Sequence, residues 1–426
     1  MPSSEPLEPM RLPAGQISIE LGHTNRYRQS RTIAEAFDPT KNSFGFIRIA
    51  LAFLVLVDHA FPLGGFHHGS DPMWGWTHGQ ESFGGLAVAG FFVLSGFLVT
   101  RSFVGSVGPI SYLWKRILRI FPGFWVCLII TTAIFAPIAY AVQFHTWSGY
   151  LRTGTDGPLG YIVNNWYLVM HQYNIEGLLR ATPYQHSGYP QAFDGSLWTL
   201  IYEFKCYIGI GVLGMFGIFR RARVIAVGAT VIFWIAQIEN SLHPTRLHGW
   251  PLIGDTNMAR LAFLFSLGTL LYLYREHIVI SNTLAALALV VLVVGMRTDL
   301  YVGVGQVALA YLCLWLAIRL PLHGVDRFGD FSYGLYIYAF PVEQLLALSH
   351  VQRFGLVPYI LCSFFAALVL AVPSWFLIEK RSLRLKRLRL DFLRVRPSPP
   401  SEHDPACQPR RRGAAINTGR QAASRS

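Results

Sequence analysis

The chain has 426 residues, of which 52% are hydrophobic and 14% are charged, and its net charge is +13 at neutral pH. This composition excludes an ordinary soluble enzyme, because the apolar residues form runs long enough to cross a bilayer core of roughly 30 Å. We predict an all-α fold, a polytopic membrane protein with about ten transmembrane helices. The predicted spans cover about residues 44–63, 83–104, 118–141, 198–219, 222–239, 258–274, 278–296, 302–320, 328–349 and 355–378.

Lysine and arginine residues concentrate on one side of these spans. They crowd the N-terminal tail, the loops after the second, fourth, sixth and eighth spans, and the C-terminal tail, whereas the intervening loops hold few. By the positive-inside rule, both termini are expected to be cytoplasmic, in a protein integral to the plasma (inner) membrane. We divide the chain into a cytoplasmic N-terminal tail (residues 1–42), a membrane domain (43–380) and a basic, disordered cytoplasmic tail (381–426).

The net charge does not indicate a nucleic-acid partner. Much of it lies in the segment RSLRLKRLRLDFLRVR after the last span, and the anionic lipids of an inner membrane face attract such residues by about 1 kcal/mol each. Binding of a phosphorylated cytosolic ligand to this tail is the alternative. The five cysteines show no metal-ligand spacing, so no metal is expected.

Arg48 and His59 are predicted to share one face of the first span. Eleven residues separate them, which returns to nearly the same helix face about 16 Å further along. Ionisable residues inside a membrane helix are costly and therefore indicate a functional site. His59, near the external end, is suited to accept a proton from a hydroxyl, and Arg48 to meet an anionic group from the cytosol. Snorkelling of Arg48 and an interfacial, backbone-bonded His59 are the alternatives.

The second and third spans add three candidate residues. Ser95 lies in GFFVLSGFLV, where it could donate a hydrogen bond to a carbonyl, although its glycine neighbours also favour close helix packing. Arg116 and Arg119 are three residues apart at the expected start of the third span, and they share a face suited to phosphates. Positive-inside topology alone would also produce such a basic cluster.

A large external segment precedes the last candidate. Residues 144–197 are rich in Gly, Tyr, Trp, His and Asn, which suits either sugar contact or a membrane interface. Glu203 follows about one turn into the fourth span, at an expected depth similar to that of His59. We therefore expect Glu203 to orient His59 or to offset its charge, with pairing to Lys205 as the alternative.

Five motifs, in their order along the chain, resemble those of the acyltransferase-3 family of integral membrane O-acyltransferases. The resemblance covers about residues 43–380, and its first motif contains the family's Arg and His, which are Arg48 and His59 here. The motifs are RIALAFLVLVDHA, FFVLSGF, RILRIFP, WTLIYEFKCY and FSYGLYIYAFP.

This resemblance implies the substrates. The donor is expected to be a cytosolic acyl-CoA, commonly acetyl-CoA, and the acceptor a hydroxyl of a glycan, lipid-linked sugar or related molecule. It also implies that His59 is catalytic and that Arg48 helps to bind the donor. Arg116 and Arg119 are the candidate contacts to the phosphates of the donor. The expected partners are therefore acyl-CoA, a glycan acceptor and membrane lipids.

Two positions depart from the family pattern. Ala339 stands where a His often precedes the Phe-Pro pair, so no role is assigned there, and Asp194 stands where an Asn often precedes GSLW. We take Ser95, Asp194 and Trp198 as candidates for substrate contacts. A transporter or flippase of an anionic glycolipid is the main alternative function, although the internal repeats typical of such folds are not found. A non-catalytic scaffold with the same fold is a third possibility.

Overall fold

The computed structural model describes residues 31–151, 154–186, 191–217 and 223–387. Most of the two predicted tails therefore lies outside the described residues. Two short strands, β1 (Arg31–Thr32) and β2 (Val279–Ile280), pair antiparallel. The described helices, in chain order, are α1 Ile33–Ala36, α2 Phe44–Gly64, α3 Pro72–Trp76, α4 Phe83–Val104, α5 Pro109–Phe144, α6 Pro158–Asn165, α7 Pro183–His186, α8 Thr199–Met215, α9 Arg223–Leu242, α10 Thr256–Leu273, α11 Asn282–Arg297, α12 Tyr301–Arg319, α13 Ser332–Leu348 and α14 Leu356–Arg384.

The all-α membrane fold is confirmed. Among the described residues, seven helices are long and apolar enough to cross a membrane, namely α2, α4, α5, α9, α10, α12 and α14. Helices α8, α11 and α13 coincide with the other three predicted spans but have only 17, 16 and 17 residues. At 1.5 Å per residue, each falls short of a bilayer core of roughly 30 Å. The count of ten spans therefore stays a prediction.

The third helix begins earlier than its apolar run suggests. Helix α5 starts at Pro109, a residue that suits the first helical turn because it has no N–H to leave unpaired. The predicted span started nearer residue 118, which placed Arg116 and Arg119 at its entrance. Both arginines instead lie about two turns or more inside a continuous helix, so their guanidinium groups can face the bundle.

Among the described helices, α4 and α10 make the most extensive contact. A Cβ atom added at Gly96 would collide with the backbone carbonyl of Phe265, and one added at Gly268 would collide with that of Val93. Small residues at such a crossing let two membrane helices approach to backbone contact. Helix α2 packs against α4, α13 and α14, so the helix that contains Arg48 and His59 lies inside the bundle.

We expect Gly268→Ala to destabilise the protein by about 2 kcal/mol, because the new methyl group meets backbone that cannot move aside. Gly228→Ala in α9 is the matched control, since a Cβ atom there meets nothing within 4 Å and alanine is the better helix former by up to about 1 kcal/mol. Thermal unfolding of the detergent-purified variants measures both. Equal melting temperatures for the two variants would contradict the packing assigned to this crossing.

Candidate active site

Arg48 and Arg119 are held together by a single acid. Arg48 Nη1 and Arg119 Nη2 each donate to Oδ2 of Asp330 at 2.5 Å, and the hydroxyl of Ser332 donates to Oδ1 at 2.6 Å. Arg119 Nη1 also lies 3.8 Å from a carboxylate oxygen of Glu379. These contacts join α2, α5, the start of α13 and α14 at the Arg48 end of the bundle. Sequence reasoning did not single out Asp330, which lies in a turn before the late tyrosine motif.

Arg116 is bonded differently from its neighbour one turn along α5. Its Nη2 donates to the hydroxyl of Ser102 at 3.2 Å, and its guanidinium lies 6.0 Å from the ring of Tyr112 and 5.7 Å from that of Tyr207. Its buried Nε has no hydrogen-bond partner, and no acid forms an ion pair with it among the described residues. The charge of Arg116 is therefore available to an anionic ligand.

A local excess of positive charge surrounds Arg116. Burial lowers the pKa of Lys386, and the nearby charges of Arg116, Arg119 and Lys115 lower it further. The charges of the three cations therefore act on Lys386 together. Such a cluster suits a ligand with several negative charges, such as a group of phosphates.

Arg48, Arg116 and Arg119 border an interior space that we call the Arg48 cavity. It consists of two adjoining cavities of about 460 Å³ each, which share Arg48, Ser95, Glu203 and Tyr333. One half reaches the basic cluster, and the other half has an apolar wall. That wall includes Val88, Phe91, Phe92, Leu200 and Tyr336. The space thus joins a cationic entrance to a mainly apolar interior.

Glu203 lies in the Arg48 cavity and not beside His59, which corrects our expectation. Its Oε1 accepts hydrogen bonds from the hydroxyls of Ser95 at 2.8 Å and Tyr207 at 2.5 Å. Helix α8 begins only at Thr199, after a buried stretch of chain that already enters the bundle. These two hydrogen bonds direct the Glu203 carboxylate toward α4 and along its own helix.

His59 faces a separate space, the His59 cavity, of about 900 Å³. Its ring meets that of Phe340 edge-on at 5.0 Å. Its Nδ1 is buried and has no hydrogen-bond partner, so this nitrogen is not engaged in a structural hydrogen bond. The other walls include Asp58, Asp71, Trp74, Ser82 and Tyr184. A base that faces an accessible cavity in this way can reach a bound hydroxyl.

Two acids sit beside His59. Asp58 hydrogen-bonds to Asp71, to the hydroxyl of Ser82 and to the backbone N–H of Gly84. Burial raises the pKa of Asp71, and the charge of Asp58 raises it further, because two neighbouring carboxylates resist ionising together. Asp71 was missed from sequence because it lies in a loop, where its one visible signal, an Asp before Pro, indicates only a helix start.

The two cavities approach each other along α13. Tyr336 borders the Arg48 cavity and Phe340 borders the His59 cavity, one helical turn or roughly 6 Å apart. Gly195 makes room at this level, since a Cβ atom there would lie 2.7 Å from the Phe340 ring. Arg48 and His59, which lie on the same helix, therefore line two different cavities. The walls of these cavities come within one turn of each other on α13.

Asp194 and Trp198 border neither cavity. Asp194 is fully buried and accepts hydrogen bonds from the backbone N–H of Ser196 at 2.9 Å and from its hydroxyl at 2.7 Å. Trp198 packs edge-on against Tyr202, with ring centroids 5.6 Å apart. The contacts seen are structural, and a substrate role for either residue stays a prediction.

Comparison with known proteins adds a family to this geometry. The family model described as an acyltransferase domain matches residues 41–376. An O-acetyl transferase of Shigella phage Sf6 is 30% identical over 355 residues, which cover 80% of this chain and 96% of that relative. Nodulation protein 10 of Rhizobium leguminosarum bv. viciae is 29% identical over 367 residues, which cover 81% and 94% of the two chains. No solved structure matches the chain.

We expect Asp330→Asn to lower the free energy of unfolding by about 3 kcal/mol, because it leaves two largely buried guanidiniums without their acid. Arg246→Gln is the control: it removes an ion pair with Glu239 in which the arginine is 69% exposed, and such pairs contribute at most about 1 kcal/mol. Thermal unfolding at neutral pH compares them. The stabilising role of Asp330 is wrong if its loss costs no more than the surface pair.

Proposed function

This chain belongs to the acyltransferase family whose domain spans residues 41–376, and from that membership we propose how its two cavities are used. It is an O-acetyltransferase-like integral membrane enzyme. We propose that it transfers an acyl group, in the first place acetyl, from cytosolic acyl-CoA to a hydroxyl of a cell-envelope or exported glycan. The observation that carries this proposal is the placement of a cationic cavity and a histidine-lined cavity at opposite ends of α2.

The Arg48 cavity is suited to the donor. Coenzyme A carries a diphosphate and a further phosphate, and phosphates are bound best by arginines whose charge is not already neutralised. Arg116 meets that condition. Arg48 and Arg119 line the same cavity, although both are paired with Asp330. The bias of lysine and arginine along the sequence supports a cytosolic position for this end, which is where acyl-CoA is found.

The apolar half of the same cavity is suited to the arm that carries the thioester. In this arrangement the phosphates stay at the basic cluster, and the arm passes Ser95 and Glu203 toward Tyr336. The Ser95 hydroxyl, held by Glu203 at 2.8 Å, is placed to contact the arm. The acyl carbon then lies toward the level of α13 at which the two cavities approach.

His59 is proposed as the general base. The acceptor hydroxyl in the His59 cavity gives its proton to the neutral imidazole while its oxygen attacks the thioester carbonyl carbon. The C–O bond forms, the C–S bond breaks, and the departing thiolate takes the proton back from the imidazolium. The products are the O-acyl sugar and free coenzyme A, and atoms and charge balance without a metal or a redox partner.

We expect His59→Gln to reduce acetyl transfer at least about a hundredfold, the usual contribution of a general base, without preventing folding. Transfer of radiolabelled acetyl from acetyl-CoA to envelope glycans in membranes measures this, with His243→Gln, an exposed histidine at the end of α9, as the control. Full transfer by His59→Gln would contradict its role as base. Absence of transfer by the folded wild-type protein would favour the transporter function instead.

We expect Arg116→Gln to weaken acetyl-CoA binding at least about tenfold, because a hydrogen bond to a charged group contributes roughly 1.5–3 kcal/mol. Arg381→Gln is the control, since this exposed arginine of α14 is also basic but borders neither cavity. Equilibrium binding of acetyl-CoA to the detergent-purified protein compares them. Equal weakening by both variants would mean that general basicity, and not Arg116, attracts the donor.

A further inference from the structure

The His59 cavity is acidic, and the described residues that line it include no lysine or arginine. Resting on the proposed function, we infer that its acceptor is an uncharged sugar and that sugars with carboxylate or phosphate groups are excluded. The space of about 900 Å³ at this site includes open solvent, so an acceptor larger than a single sugar can extend out of it. The cavity therefore has room for part of an oligosaccharide around the attacking hydroxyl.

The two acids of this cavity are fixed in position. Asp71 caps α3, accepting from the backbone N–H groups of Met73 at 2.8 Å and Trp74 at 3.3 Å. Asp58 hydrogen-bonds to Asp71 and to the Ser82 hydroxyl. An incoming anion cannot displace these carboxyl groups without breaking the turn that holds them. Even with one proton shared between them, the pair keeps a negative charge.

Two arginines that contact residues beside the cavity wall are already engaged. Arg260 donates to the carboxylate of Glu81 and to the backbone carbonyl of Gly85. Arg297 donates to the backbone carbonyl of Trp76, with its guanidinium over that indole ring. A third carboxyl group, that of Glu343, is fully buried near Asp58. Neither of these two arginines is therefore free to bind an acidic sugar.

The remaining walls suit a neutral sugar. The indole of Trp74 is 47% exposed and borders the cavity beside Tyr184 and Phe340, so aromatic surface is available to the apolar face of a sugar ring. The carboxyl groups of Asp58 and Asp71 can accept hydrogen bonds from sugar hydroxyls, and such charge-assisted bonds are strong. The same two groups thus attract a neutral sugar and repel an acidic one, which is how a site gains specificity through repulsion.

The experiment compares acceptors that differ only in charge. Membranes receive radiolabelled acetyl-CoA with an equimolar mixture of uronic acid oligosaccharides of gluco, galacto and manno configuration, half of them as methyl esters. Ester and acid carry the same hydroxyls. We expect at least tenfold more label in the esters than in the acids, and equal or greater label in the acids overturns the inference. If neither form is labelled, mass spectrometry of the acetylated envelope glycan decides: an acetyl ester on a neutral sugar supports the inference, and one on an acidic sugar overturns it.

A charge variant tests which groups cause the discrimination. The double variant Asp58→Asn/Asp71→Asn keeps a good helix cap at position 71 but removes both carboxyl groups from the cavity, and we expect it to reduce the ester-to-acid ratio at least tenfold. Asp255→Asn is the control, because Asp255 also caps a helix, α10, and borders neither cavity. An unchanged ratio in the double variant overturns the role of these acids. Absence of acetyl transfer to any glycan, neutral or acidic, would instead mean that the proposed function itself is wrong.

Discussion

One carboxylate, that of Asp330, holds together the end of the bundle on which the site depends. Arg48 and Arg119 come from different helices, and both donate to the same oxygen of this acid. Bringing two guanidiniums together in a partly buried place would be strongly unfavourable without an acid between them. Asp330 thus links α2 to α5 at the Arg48 cavity, whose walls also come from α4, α8 and α13.

The charges of the bundle are arranged by sign. At the Arg48 end, Arg116 has no acid partner among the described residues, whereas Asp58 and Asp71 make the His59 end acidic. A donor with several phosphates is therefore attracted to one end and repelled from the other. Within the proposed function, this polarity keeps the phosphates at the Arg48 end while the uncharged thioester arm extends toward His59. Helix α2 sets the distance, since it is continuous from Phe44 to Gly64.

The shared face of Arg48 and His59 could be predicted from the sequence because it depends on one helix alone. Apolar runs interrupted by an Arg and a His predict a membrane helix with a functional face, and a period of 3.6 residues decides that Arg48 and His59 share it. The order of five motifs indicates the family, and the family model confirms it. Span boundaries were less certain: α5 begins at Pro109, because helix geometry does not stop where hydrophobicity does.

Contacts between different helices could not be predicted from the sequence. Asp330 meets Arg48 across 282 positions of sequence, and Glu203 accepts a hydrogen bond from Ser95 on α4, 108 positions away. The sequence by itself determined the membrane fold, the family and the spacing of the Arg and His along α2, since these follow from composition and the regular rise of a helix. Only the tertiary structure decided which acid neutralises which arginine and that His59 faces acids in a cavity of its own, because those neighbours depend on how separate helices pack.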